Sequence, residues 1–506
     1  MTIQRLPLHM ESKTTTTISP PPRPLSPSAA ATVDRLTKLI NDHPFPVLPL
    51  RPLLLEHLLP LLQPSSSPPP HLLVSSILFR LFSAHALPHK SLELFRFSLL
   101  HSPSSLSPSS LPILVQTLSR SPRRLMFPSS AFFVLDLARR AIPSLLSPPS
   151  LSALLSPLAR RSPNPFEDTI RAFHRAESLW AAAGRPPFSA VELTALLRAF
   201  CACRRVADAR AAFRLLHSRI APDTRAFNTL LLGFSAAGHL PSLNIFFHEL
   251  LLRGFQPDAV TYNIRIDAYC KQNSLSDALQ LLVEMESRNI PPTVRTLTTL
   301  IFGAGLAGDP SRARKLFDEM SQRGISPDRA AYNALIGAVV KSGNTKAGLE
   351  LLDEMESNGI EADDVSYYTM LCGFRRPRES IGFLQVYRRM IEKGLVPGTR
   401  TVMLLMKFFH AKGKVDFELE LWDYMLGKGC CPHCHALDIL VKDLCLGGRV
   451  AEAYECFKQM VERGRLPSTR GTQLLEEFLV KAQDGNKLEE ITEMMSRLKT
   501  VVPTAS

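Results

Sequence analysis

Across residues 329–363, RAAYNALIGAVVKSGNTKAGLELLDEMESNGIEAD, apolar side chains return every three or four positions. Tyr332, Leu335, Ile336 and Val339 form one stripe, Gly343 interrupts it, and Leu349, Leu352 and Met355 form a second. That spacing is one face of a helix, so the segment predicts two helices joined by a short turn. Gly359 stands where the second helix would end, because a residue without Cβ takes the left-handed cap without a clash.

The same pattern recurs down the chain. Met285, Met320, Met355, Met390, Met425 and Met460 lie 35 residues apart, and Leu250 continues the ladder upward. Prolines keep that interval at 222, 257, 292, 327, 397, 432 and 467, with Ala362 in the one gap. One glycine ladder runs through Gly254, Gly324, Gly359, Gly394, Gly429 and Gly464, with Asn289 in the missing place. A second runs through Gly238, Gly308, Gly343, Gly413 and Gly448. The prolines fall three residues beyond the cap glycines, where they block continuation of the helix.

One such hairpin cannot bury its apolar faces alone, whereas stacked neighbours can. The expected fold is therefore all-α, an α-solenoid of helix-turn-helix repeats with the methionines in the inter-repeat core. Residues 34–189 are looser: apolar stretches at 71–82, 111–120 and 131–141 alternate with Pro/Ser loops at 64–70 and 102–110. They read as degenerate hairpins continuing the solenoid, with a disordered or differently folded N-terminal region as the alternative.

The segment AVTYNIRIDAYCKQNSLSDALQLLVEMESRNIPPT (259–293) resembles the pentatricopeptide repeat, P-type, of plant organellar proteins. The resemblance covers repeats at 190–223, 224–258, 259–293, 294–328, 329–363, 364–398, 399–433 and 434–468, with a partial or capping repeat and tail over 469–506. It implies a right-handed solenoid that reads single-stranded RNA at one base per repeat, through two or three side chains each. In that family the fifth and last positions of a repeat read the base, and the second position packs between bases.

Carried onto this chain, Thr194 with Asp223 implies G, Asn228 with Asp258 implies U, and Asn263 with Thr293 a pyrimidine. Thr298 with Asp328 implies G, and Asn333 with Asp363 implies U. Tyr368 with Gly398, Met403 with His433, and Asp438 with Ser468 depart from the pattern and receive no base, although His433 and Asp438 occupy base-reading slots. The implied partner is single-stranded RNA containing 5′-GU(Y)GUNNN-3′. The second positions are Val191, Arg225, Val260, Arg295, Ala330, Val365, Arg400, His435 and Arg470. Arginine here can stack on a base plane and meet phosphate charge; solvated arginines at a repeat edge are the alternative. Lys271 and Lys341 share one repeat position and are candidate phosphate contacts.

Charge sharpens the picture. The whole chain carries +13, which favours polyanionic partners. Residues 1–165 hold 16 Lys/Arg against 6 Asp/Glu, the rest 43 against 40. Residues 1–33 contain one acid, Glu11, three basic residues and the run Thr14–Thr17, the composition of an organelle transit peptide. Mitochondrion is the expected location, with chloroplast as the alternative. No run of about 18 uncharged apolar residues is present, so no membrane span is expected.

The stretch Gly429-Cys430-Cys431-Pro432-His433-Cys434-His435 offers the spacing of a c-type haem site, of a redox dithiol and of half a zinc site. The repeat register explains it otherwise: Gly429 is a cap glycine, Pro432 belongs to the proline ladder, and Cys434 and His435 open the next repeat. No cofactor is expected, and a structural zinc is the one metal reading the register leaves open. His433 and His435 fall in RNA-facing slots. Catalysis is not expected either. Zinc deaminases need His-x-Glu followed by Pro-Cys-x-x-Cys, and the one His-x-Glu is His9-Met10-Glu11. The functional expectation is sequence-selective RNA binding that supports processing, foremost splicing of a mitochondrial group II intron together with other splicing factors. Transcript-end stabilisation, translation and a protein-binding scaffold are the alternatives.

Overall fold

The computed structural model describes residues 26–63, 68–83, 86–120, 127–374, 380–463 and 465–501. Among these every regular element is helical: α-helices in pairs, with short 3₁₀ turns such as Leu59–Leu62 and Pro103–Ser105. The chain is an α-solenoid, and its contacts divide it into two compact units, residues 1–268 and 269–506.

In the first unit, helix Pro27–Asp42 packs on Pro70–Ser83, that on Ser110–Leu118, that on Pro148–Arg161, that on Ala190–Cys201, and that on Thr224–Ala237. Each is followed by a partner helix, so four helical pairs precede the repeat at 190–223. They lack the 35-residue interval but bury the same kind of stripe: Leu73, Ile77, Leu111, Leu114, Leu151 and Leu154 are all buried. The first helix begins at Pro27, inside the segment read as leader, with Ser26 capping it and Val33 fully buried. Residues 1–25 of that expectation lie outside the described residues, as does Gly464.

In the second unit the first helices again pack in series: Val294–Ala307, Arg329–Lys341, Asp364–Gly373, Thr399–Ala411, Cys434–Leu446 and Thr469–Lys481. The methionine ladder lies in the core. Met285, Met320, Met355, Met390 and Met460 are fully buried, and Leu250 holds the same place in the first unit. The glycine ladders take the left-handed backbone that helix ends require, with φ from +61° to +100°. Asn289 and Asn273 fill gaps in the two ladders at φ +58° and +61°, as the side chain best suited to that region after glycine.

Second helices are tied across repeats by charge. Arg389 reaches Glu356 at 2.8 Å, Arg314 reaches Glu354 at 3.2 Å, and Arg323 pairs with Glu286. Much of the arginine in this row is therefore spent on carboxylates within the solenoid.

Met355 should carry packing and Lys346 should not. Met355→Ala is expected to destabilise the chain by about 2–5 kcal/mol, as large-to-small core changes do, and exposed Lys346→Ala to change it by less than about 0.5 kcal/mol. Urea denaturation followed by circular dichroism reads both.

Candidate nucleic-acid interface

The last residue of a repeat is also the N-cap of the next first helix. Asp223 accepts from Ala226 N–H at 2.9 Å, Asp328 from Ala331 N–H at 2.8 Å, and Asp363 from Ser366 N–H at 3.0 Å. Thr293 forms a capping box with Thr296, and Ser468 accepts from Gly471 N–H at 3.0 Å. Short oxygen-bearing side chains recur here because they satisfy amide groups that a helix start leaves free. Capping thus accounts for much of the Pro-Asp pattern without any ligand, a role that repeat spacing alone does not reveal.

The cap also meets the fifth position of its own repeat. Asn228 Nδ2 donates to Asp258 Oδ1 at 3.2 Å, while Thr261 N–H donates to the same oxygen at 2.8 Å. The Thr261 hydroxyl lies 2.8 Å from both Asn228 Oδ1 and Asp258 Oδ1. In the repeat at 434–468 the pairing recurs with roles exchanged, Ser468 Oγ donating to Asp438 Oδ1 at 2.5 Å. In these two repeats, one in each unit, the fifth and last positions stand together as a polar pair. Burial pushes the Asp258 carboxyl up, but hydrogen bonds from Thr261 and Asn228 outweigh it and hold the carboxyl below its usual range.

The remaining fifth positions are held differently. Thr194 donates its hydroxyl to Ala190 C=O at 2.7 Å, so that proton stays within the helix. Asn263 is buried, like Asn228 and Thr194. Thr298 Oγ1 and Asn333 Oδ1 are buried polar atoms with no protein partner, a costly state that a hydrogen-bonding ligand would relieve.

The second positions stand clear of the packed surface. Val191, Val260 and Val365 are about half exposed, an unusual place for valine, and Arg225, Arg295, Arg400, His435 and Arg470 are exposed beside them. Lys341 serves the fold. Its ammonium donates to Gly305 and Leu306 C=O at 3.1 and 3.0 Å, closing the C-terminal end of helix Val294–Ala307. Lys271 is exposed at the same repeat position.

In the GCCPHCH stretch, Gly429 takes φ +75° and His433 caps helix Cys434–Leu446 by accepting His435 N–H at 3.3 Å. His435 Nδ1 lies 3.2 Å from Asp438 Oδ2, which joins the histidines to the Asp438–Ser468 pair. The ligand atoms of His433, Cys434 and His435 lie within 4.8 Å of one another. Burial raises the Cys431 thiol, partly offset by Arg465 and Arg463. One further cluster had no sequence motif. His410, Glu418 and Asp443, from three helices, bring ligand atoms within 4.8 Å, and burial and Asp443 push the Glu418 carboxyl up to about 9.

Comparisons with known proteins find repeat-family models on this chain. The model of the PPR repeat family matches residues 222–271, 257–305 and 327–376, and that of the PPR repeat matches 295–325 and 438–465. A pentatricopeptide repeat-containing protein of Arabidopsis thaliana is 40% identical over 282 residues, covering 56% of this chain and 54% of the relative. The chain spans about half the length or less of the curated relatives it matches. Among solved structures, the maize pentatricopeptide repeat protein PPR10 is 20% identical, over 94% of this chain and 78% of that one, at a TM-score of 0.37. Yeast Rmd9p, solved in complex with a 16-nucleotide target RNA, is 13% identical over 94% and 96%, at a TM-score of 0.35.

Asp258→Ala removes a helix cap and the partner of Asn228 together. It should cost about 1 kcal/mol at pH 7, the usual loss for an N-cap. A depressed carboxyl stabilises above its unfolded value and loses that effect as pH falls, so the gap to wild type should close below about pH 4. Urea titrations at pH 7 and pH 3 check both parts.

Proposed function

From the premise that the chain carries pentatricopeptide repeats, we propose that it binds single-stranded RNA sequence-selectively and supports RNA processing. The observation that carries this reading is the pairing of fifth and last positions, beside a row of exposed valines and arginines at the second position. A base between two second-position side chains would be packed on its faces, and the polar pair would meet its edge. Both contacts need the base unstacked, which selects single strands over duplex.

The repeats carry the P-type pattern, and the target read from them is 5′-GU(Y)GUNNN-3′. The repeats from 364 to 468 contribute positions without an assigned base. Exposed Arg225 and Arg295, with Lys271, would meet phosphates, which makes binding salt-sensitive. The stacked helical pairs would act by holding RNA in a defined form. The composition of residues 1–33 supports delivery to an organelle, with the mitochondrion as the site and group II intron splicing as the process. Other splicing factors would complete the reaction.

Thr298→Asn tests the register within one repeat. It should move preference at the fourth base from G towards U, in competitive titrations against two RNAs that differ only there. Discrimination between bases at a hydrogen-bonded site is of order 1–3 kcal/mol. An unchanged preference at the fourth base removes the assignment.

A further inference from the structure

Three positions meet at each junction between repeats: the twelfth and twentieth of one and the tenth of the next. At the described positions of the four preceding junctions they are small, apolar or aromatic. They are Cys270, Ala278 and Gly303 at one junction, where a Cβ on Gly303 would stand 2.3 Å from the Cys270 sulfur. They are Gly305, Ala313 and Ala338 at the next, where a Cβ on Gly305 would stand 2.9 Å from that of Ala338. They are Val340, Gly348 and Gly373 at the third, where a Cβ on Gly373 would stand 1.7 Å from Val340 Cγ1. At the fourth, Phe383 stacks on Phe408 with ring centroids 3.6 Å apart.

At the junction of repeats 399–433 and 434–468 the same positions hold His410, Glu418 and Asp443. Glu418 is fully buried, and neither of its carboxylate oxygens has a hydrogen-bond partner. Asp443 Oδ2 lies 2.6 Å from His410 Nδ1. Two carboxylates packed together here are expensive unless a cation or a proton joins them. The C-terminal ends of helices Thr399–Ala411 and Cys434–Leu446 converge here, and their dipoles also favour positive charge.

We propose that His410, Glu418 and Asp443 bind one divalent cation of the zinc class, tying three helices together across this junction. Imidazole and carboxylate are both zinc ligands, and three protein ligands with an open fourth position form a common zinc arrangement. Zinc also binds such a nitrogen–oxygen set more tightly than manganese or iron(II). Bonds of about 2.1 Å place tetrahedral ligand atoms about 3.4 Å apart, so His410 must withdraw by under about an ångström. It sits in the last turn of its helix, with 40% of its side chain exposed, and is free to do so.

The test uses the full chain, stripped with EDTA and titrated with ZnCl2, reading the thermal midpoint and the zinc retained after dialysis. Wild type and the His435→Ala variant should both show a midpoint that rises with zinc. Glu418→Gln should show no rise and retain one equivalent less. Should Glu418→Gln fail to fold, Glu418→Ala/Asp443→Ala reproduces the Ala313 and Ala338 packing of an earlier junction, and the same loss is expected of it. No rise in wild type overturns the proposal, and a proton then joins the carboxyls. An equal rise without Glu418 overturns it too, as does loss of the equivalent in His435→Ala, which would place the ion on the His433, Cys434 and His435 group.

Discussion

A helical pair of this length has more apolar surface than it can cover by itself, and that shortage organises the molecule. Each pair completes its core on the next, so burial runs along the chain instead of inward to one centre. Met320, Met355 and Met390 are fully buried, where an unbranched thioether fills irregular gaps. From 224 to 468 a fixed repeat length keeps the seam residues of neighbouring pairs in step. The same step gives every repeat a fifth position in an equivalent place, which is what a one-base-per-repeat reader needs.

At Asp258 and Ser468 the last position of a repeat is under two demands. As an N-cap it must offer a short acceptor to the next helix, and as a partner of the fifth position it must present an acceptor or donor beside it. Asp258 does both through one oxygen, and Ser468 does both through one hydroxyl. Asp and Ser meet both demands with one short side chain. The fifth position is less constrained, and Thr298, Asn333 and Asp438 all stand there within a helix. Gly398 shows the other outcome: it caps without a side chain, and its N–H is held by Asp364 at 2.9 Å.

Much of the repeat architecture is legible in the sequence. The methionine, proline and glycine ladders mark the helix ends, and Asn289 in a glycine slot correctly implies a left-handed backbone. The four pairs over 27–182 are harder to read, because their loops vary in length and shift the apolar stripes out of register. Lys341 reads as a phosphate ligand from position alone. Its reach to the Gly305 and Leu306 carbonyls depends on how neighbouring first helices stack, which one repeat does not encode. His410, Glu418 and Asp443 carry no motif, since they lie in three helices and two repeats. Aligning repeat positions exposes them, as two acids and a histidine where earlier junctions carry Cys270, Ala278 and Gly303 or Gly305, Ala313 and Ala338.

The central claim is that polar pairs at successive repeats meet successive bases. Selection of bound RNA from a randomised single-stranded pool, followed by sequencing, tests it most directly. The account predicts enrichment of G, U, a pyrimidine, G and U in that order from the 5′ end, weakening as salt rises. A recovered pool with the base composition of its input, or a motif unrelated to that order, would contradict it.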